Sequence, residues 1–129
     1  MAAPGETDLD ILLSTLAVQR RPGVFAYIAV EVPTPGLIAA AHALVKEGRL
    51  TTIVLPVDAA ERAGQSTDVQ FSWLTLTMHS SLDAVGLTAL VSARLAAIGI
   101  PCNVLAGYHH DHILVPVDRV DDAISVLAA

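Results

Sequence analysis

Only one cysteine, Cys102, occurs in the 129 residues, so no disulfide can close within the chain. That fits a reducing, cytoplasmic setting. Aromatic residues are scarce at 4%, so the core is mostly aliphatic. Charge is sparse as well, at 16%, and it is unbalanced: seven Lys and Arg stand against thirteen Asp and Glu, for a net charge of −6. A basic surface is therefore missing, which excludes broad binding to nucleic acid or to anionic membranes. No apolar run reaches the ~18 residues that a membrane-spanning helix requires. The opening MAAPGETDLD is polar and acidic and has no apolar signal core.

What is present is a hydrophobic fraction of 53%, enough for a packed core and incompatible with global disorder. Asp8 is placed to cap a short helix, with Leu9, Leu12, Leu13 and Leu16 at helical spacing before Arg21-Pro22-Gly23. Val24 to Val30 is apolar on both alternating faces and reads as a covered strand. The Ala-rich stretch Leu37 to Val45 reads as a helix stopped by Gly48. Leu50 to Val57 is a second strand, and Asp58 caps the short AAERA segment. The polar connector Gln65 to Asp68 divides an N-terminal half, residues 1–66, from a C-terminal half, residues 67–129.

The second half has the cleaner pattern. Phe71, Trp73, Thr75 and Thr77 alternate with Ser72, Leu74, Leu76 and Met78 in a strand. Val85 to Ile98 is an amphipathic helix with Leu87, Leu90, Val91, Leu95 and Ile98 on one stripe. Gly99 and Pro101 end it. Cys102–Ala106 and Asp111–Val117 form a hairpin around a Gly107–His110 turn, and Asp118 caps a last helix. The order βαββα is that of an α+β, ferredoxin-like βαββαβ sandwich lacking its final strand. The missing edge must come from the first half or from a second subunit, because an open apolar edge invites aggregation. The first half gives βαβ and a short helix, a weaker echo of the same layout.

Two polar islands interrupt this half, HSSLDAVG at 79–86 and AGYHHDH at 106–112. Ser80, Ser81 and Asp83 precede a helix, where capping alone would explain them. Gly86 inside a helix costs up to ~1 kcal/mol against Ala, which close packing or ligand approach would each explain. His79, His110 and His112 are the candidate metal ligands, yet alternation sends Asp111 to the opposite side, and neither HExxH nor a cysteine pair is present. Ser80 or Ser81 beside His79 lacks the GxSxG elbow of a serine hydrolase. Cys102, on an apolar strand, reads as a structural thiol.

The strings SSLDAVG and AGYHHDHILVP, within residues 74–127, resemble the C-terminal half of the small bacterial ACT-like proteins. Beyond them, the same elements are similar to the ACT modules of eukaryotic arginine sensors and of aspartate kinases. In the first half the match is VFAYIAV and LTTIVLPVDAAE, while KEGRLTT stands where that family has an acidic, glutamate-containing segment. The resemblance implies an ACT-type fold and a regulatory or sensor module that binds a small molecule, an amino acid, with no catalysis and no cofactor. It implies a homo-oligomer or docking to a partner. Carried over by motif, Ser81, Asp83, Val85 and Gly86 form the wall of a ligand loop. Asn103 hydrogen-bonds an amino or carboxylate group, and Asp111 meets a cationic group of the ligand. The physics is compatible, because first-turn helix amides lack partners and favour a carboxylate. The competing readings are a metal-dependent or histidine-based enzyme on the C-terminal half and a ligand-free oligomerisation module.

Overall fold

The computed structural model describes residues 14, 16–78 and 84–128. The chain forms two compact units: a terminal unit, made of the described residues up to Arg21 together with those from Trp73 onward, and an internal unit, Pro22–Ser72.

In the internal unit, β2 (Phe25–Val30), α1 (Pro35–Ala40), β3 (Ala43–Glu47), β4 (Leu50–Pro56) and α2 (Val57–Arg62) follow one another. The sheet runs β3-β4-β2, antiparallel throughout. Beyond β2, Phe71 pairs with Phe25 and takes the position of a fourth strand. Ala26 and Ile28 of β2 and Ile53 and Leu55 of β4 point to one side by strand alternation. There they bury against Leu37 of α1 and Ala60 of α2. Thr34 caps α1, its Oγ1 accepting from the Leu37 N–H at 3.2 Å, and Pro35 occupies the first helical position.

The helix expected over Leu37 to Val45 stops at Ala40, and its second part is a strand. Ala41 is extended, the His42 N–H donates to the Val54 carbonyl at 2.8 Å, and Ala43 to Glu47 pair with Val54 to Leu50. Backbone pairing to β4 outweighs the helix propensity of the alanines, a preference of tenths of a kcal/mol per residue. Gly48 is accordingly a hairpin residue, with φ +63°, and does not stop a helix. Asp58 lies in the first turn of α2, where Pro56 holds the cap position, and it pairs with Arg62 one turn on.

The terminal unit contains β1 (Leu16–Arg20), β5 (Phe71–Met78, from Trp73 on), α3 (Ala84–Ala97), β6 (Asn103–Ala106), β7 (Asp111–Pro116), a 3-10 turn (Val117–Arg119) and α4 (Val120–Ala128). Its strands lie in the order β1-β5-β7-β6. This is the ferredoxin-like order, with β1 in the place of the fourth strand. The sheet edge is thus completed by the first part of the same chain.

Leu16, assigned from the sequence to a helix, is instead the first residue of β1; Leu9, Leu12 and Leu13 lie outside the described residues. Leu16 and Val18 enter the core at period two while Ala17 and Gln19 are exposed. The pairing runs from Leu16 opposite Met78 to Arg20 opposite Leu74. The β5 amides and carbonyls need backbone partners along this edge; residues 16–20 supply them as a strand, which a helix could not do.

Both helices pack on the side of the sheet that carries Leu74, Leu76, Ile113 and Val115. From α3, Leu87, Val91 and Leu95 are buried as their spacing implies; Val120, Ala123 and Leu127 of α4 meet them. Ile98 leaves the stripe and is 39% exposed, because the helix ends at Ala97 and Ile100 enters the core in its place. The Arg119 guanidinium donates to the Ile98 carbonyl at 3.0 Å and to Asp122 at 3.1 Å, tying the end of α3 to α4. Asp118 falls within the 3-10 turn that precedes α4.

The β6–β7 hairpin closes tightly. The Gly107 N–H donates to the His110 carbonyl at 2.9 Å. A Cβ on Gly107 would stand 2.8 Å from that carbonyl oxygen, closer than such atoms approach, and a tight 3.0 Å from His112 Nε2.

Two expectations follow. Gly107→Ala should lose about 1–3 kcal/mol of stability through this overpacking, measured by urea denaturation; an unchanged midpoint would show that the turn relaxes without cost. Removing residues 1–20 should leave the β5 edge open, lowering Tm and producing soluble aggregates on size exclusion. A truncated chain that stays monomeric with an unchanged Tm would make β1 dispensable.

Candidate functional site

The side of the terminal sheet away from the helices carries a polar cluster centred on Trp73. Alternation along β5 puts Trp73 and Thr75 on that side, since Leu74 and Leu76 face the helices. The same parity along β7 puts His112 with them. Trp73 is 2% exposed. Its Nε1 donates to His112 Nδ1 at 3.2 Å, and Thr75 Oγ1 lies 3.0 Å from the same nitrogen. Arg21, whose N–H donates to the Trp73 carbonyl at 2.8 Å, lays its guanidinium over the indole at 4.1 Å. That spacing is a cation–π contact.

Burial lowers the pKa of His112 from the ordinary 6.5, the positive charge of Arg21 and the neighbouring His110 lower it further, and Asp111 acts in the opposite direction. An indole N–H only donates, so His112 Nδ1 is an acceptor, and the neutral ring carries its proton on Nε2. The one lone pair of that ring is engaged by Trp73 and Thr75. Among the described residues, no group of three His, Cys, Asp or Glu side chains is arranged to hold a metal ion. Cys102 is half-buried against the aliphatic core, and burial raises its thiol pKa, the condition of an unreactive cysteine.

The residues singled out from the sequence are distributed as follows. His79, Ser80, Ser81 and Asp83 lie outside the described residues. Val85 and Gly86 are in the first turn of α3, with Gly86 half-buried. Asn103 is exposed on the edge strand β6, opposite Leu114. Asp111 opens β7 opposite Ala106. The offset from Asn103 to Ala106 is odd, so Asn103 and Asp111 point to opposite sides of the sheet. Asn103 and Asp111 are therefore not brought together on one side. His110 is exposed in the turn, and His112 is turned into the Trp73 cluster. The roles of Arg21 and Trp73 escaped the sequence reading. The only signal was the apolar–Thr alternation of β5, which marks Trp73 and Thr75 as neighbours on one side.

Among the described residues no helix is long and apolar enough to cross a membrane. Comparison with known proteins found an ACT-domain family model matching residues 4–72 and a second ACT-domain model matching residues 68–129. Among curated proteins, none matches. A solved structure from Vibrio cholerae, described as a protein of unknown function and possible transport protein, is 34% identical, with a TM-score of 0.85, covering 97% of this chain and 99% of its own. An Agrobacterium tumefaciens protein of 16% identity superposes with a TM-score of 0.67 over 88% of this chain and 87% of that one. The aspartate kinase of Clostridium acetobutylicum, an allosteric enzyme, is 8% identical with a TM-score of 0.63, over 88% of this chain and 33% of the kinase. These last two share the fold. With its ferredoxin-like strand order, its two matching models and its Vibrio relative, the chain belongs to the ACT domain family, carrying two such domains in succession.

Proposed function

We propose that the protein is a cytoplasmic sensor: a regulatory module that binds an amino acid, performs no reaction on it and acts as a homo-oligomer or on a partner protein. The observation that supports this most is the succession of two ACT domains over residues 4–72 and 68–129. ACT domains are regulatory modules that generally bind small molecules, often amino acids. In this reading the boundary between the two halves falls in the polar connector near residue 66.

The ligand's carboxylate is received at the start of α3, a helix of 14 residues. The first-turn N–H groups of a helix have no intrahelical partner and carry partial positive charge, so an anion there is favoured by about 0.3–1 kcal/mol when exposed. Ser81, Asp83, Val85 and Gly86 form the wall. Gly86, without a side chain, leaves room for the ligand beside the backbone. Asn103 and Asp111 point to opposite sides of the sheet, so one ligand is held by at most one of them. Binding favours one arrangement of the protein by its differential affinity, which is the whole of the regulatory output.

A thermal-shift screen against the twenty amino acids tests this. A ligand at a hundredfold excess over its Kd should add about 2.7 kcal/mol to stability, a rise in Tm of several degrees. Gly86→Val should abolish that rise while the far-ultraviolet circular dichroism stays native. If none of the twenty shifts Tm, the amino-acid reading fails; if the shift persists in Gly86→Val, the site lies elsewhere.

A further inference from the structure

We propose that His112 is a proton-operated latch: as a neutral ring it fastens the 107–110 turn to β5 through Trp73, and on protonation it lets the turn go. Trp73 Nε1 can give a hydrogen bond but cannot accept one. The bond to His112 Nδ1 at 3.2 Å therefore exists only while that nitrogen is bare. Protonation would set two N–H groups against each other. Thr75 cannot rescue the pair: its hydroxyl, 3.0 Å from Nδ1, can reverse and accept from the imidazolium, but the indole N–H remains aimed at the ring. Nor can the indole swing aside easily, because it is buried and covered by the Arg21 guanidinium at 4.1 Å.

The ring's other nitrogen is confined as well. Nε2 faces Gly107 so closely that a Cβ there would stand at 3.0 Å. The ring thus lies between β5 and Gly107 of the turn, and its bond to the indole is lost when Nδ1 changes from acceptor to donor. Of the charged and titratable groups about it among the described residues, Arg21 at the end of β1 and His110 in the turn oppose a positive charge, and Asp111 on β7 favours it. From β6 the cross-strand neighbour is Leu105, which carries no charge. Burial opposes the charge most, so the balance lowers the His112 pKa from the ordinary histidine value.

The sign of the stability effect follows. The folded-state pKa is below that of the unfolded chain, so as pH falls from about 6.5 the unfolded chain takes up a proton first. Stability held in full above that value drains away as pH drops toward the lower folded pKa. Below it, the latch is open. The segment it governs carries Tyr108, 98% exposed, with His109 against it at 4.8 Å between ring centroids. The latch therefore sets the position of the most exposed aromatic side chain at the hairpin tip.

The chain has a single tryptophan, so the test reads the latch directly. Trp73 emission is followed from pH 8 to pH 4, with circular dichroism alongside and the histidine ring protons followed by NMR. The emission should change with a midpoint below 6.5 that coincides with the His112 titration, while the circular dichroism stays native. In His112→Gln, whose side chain does not titrate, the emission change should vanish; in His110→Gln it should persist. In Trp73→Phe the His112 titration should move up toward 6.5. The proposal is overturned if the emission change survives in His112→Gln or if His112 titrates at or above 6.5. It is equally overturned if the circular dichroism collapses together with the emission, which would mean general acid unfolding.

Discussion

The pairing of β1 with β5 is the constraint on which the terminal unit rests. A βαββα segment leaves one edge of its first strand without backbone partners, and buried N–H and C=O groups left unpaired cost as much as lost hydrogen bonds. Residues 16–20 fill that edge from the other end of the sequence, in antiparallel register with residues 78–74. Once β1 is in place, Leu16 and Val18 extend the apolar side on which α3 and α4 lie. Arg20 follows on that side and reaches toward Asp121 of α4 at 3.9 Å. Both groups are well exposed, so the pair adds little stability. Arg21, one residue further, falls on the other side, and this is how a guanidinium comes to lie over Trp73.

The internal unit repeats the plan. Its β2, β4 and β3 take the roles that β5, β7 and β6 take in the terminal unit, and Phe71 stands beside Phe25 where a fourth strand belongs. Two units with one plan agree with two ACT-domain models in succession along the chain. The shared plan places helices on one side of each sheet and leaves the chemistry to loops and to the opposite side. In the terminal unit that opposite side holds the one well-connected polar group of the described residues, Arg21–Trp73–His112–Thr75. Its members are separated by up to 91 residues, yet each is fixed by strand parity and register alone.

Strand parity also separates two of the residues grouped by motif. Asn103 and Asp111 are close in sequence and sit on paired strands. An odd offset nevertheless turns them to opposite sides, and no side-chain rotation brings them together. The histidine-rich turn divides in a similar way. His109 and His110 are exposed, whereas His112, inside β7, is drawn into the sheet by its bond to the indole. Residues that share a composition thus do different work according to which side of a strand they occupy.

By itself the sequence determined the strands β2, β4, β5 and β7, the long helix α3, the β6–β7 hairpin and the family. Each of these carries a local signal: alternation at period two, a stripe at period 3.6, a Gly-containing turn, or the strings SSLDAVG and AGYHHDHILVP. Tertiary structure alone decided what residues 16–20 and 43–47 would be. Both stretches are leucine- and alanine-rich and favour a helix weakly when read alone; an open strand edge, at β5 and at β4, made them strands. It also decided that Trp73 would meet Arg21 and His112, because register between distant strands is set by which apolar sets must be buried together, and no short window of sequence contains that information.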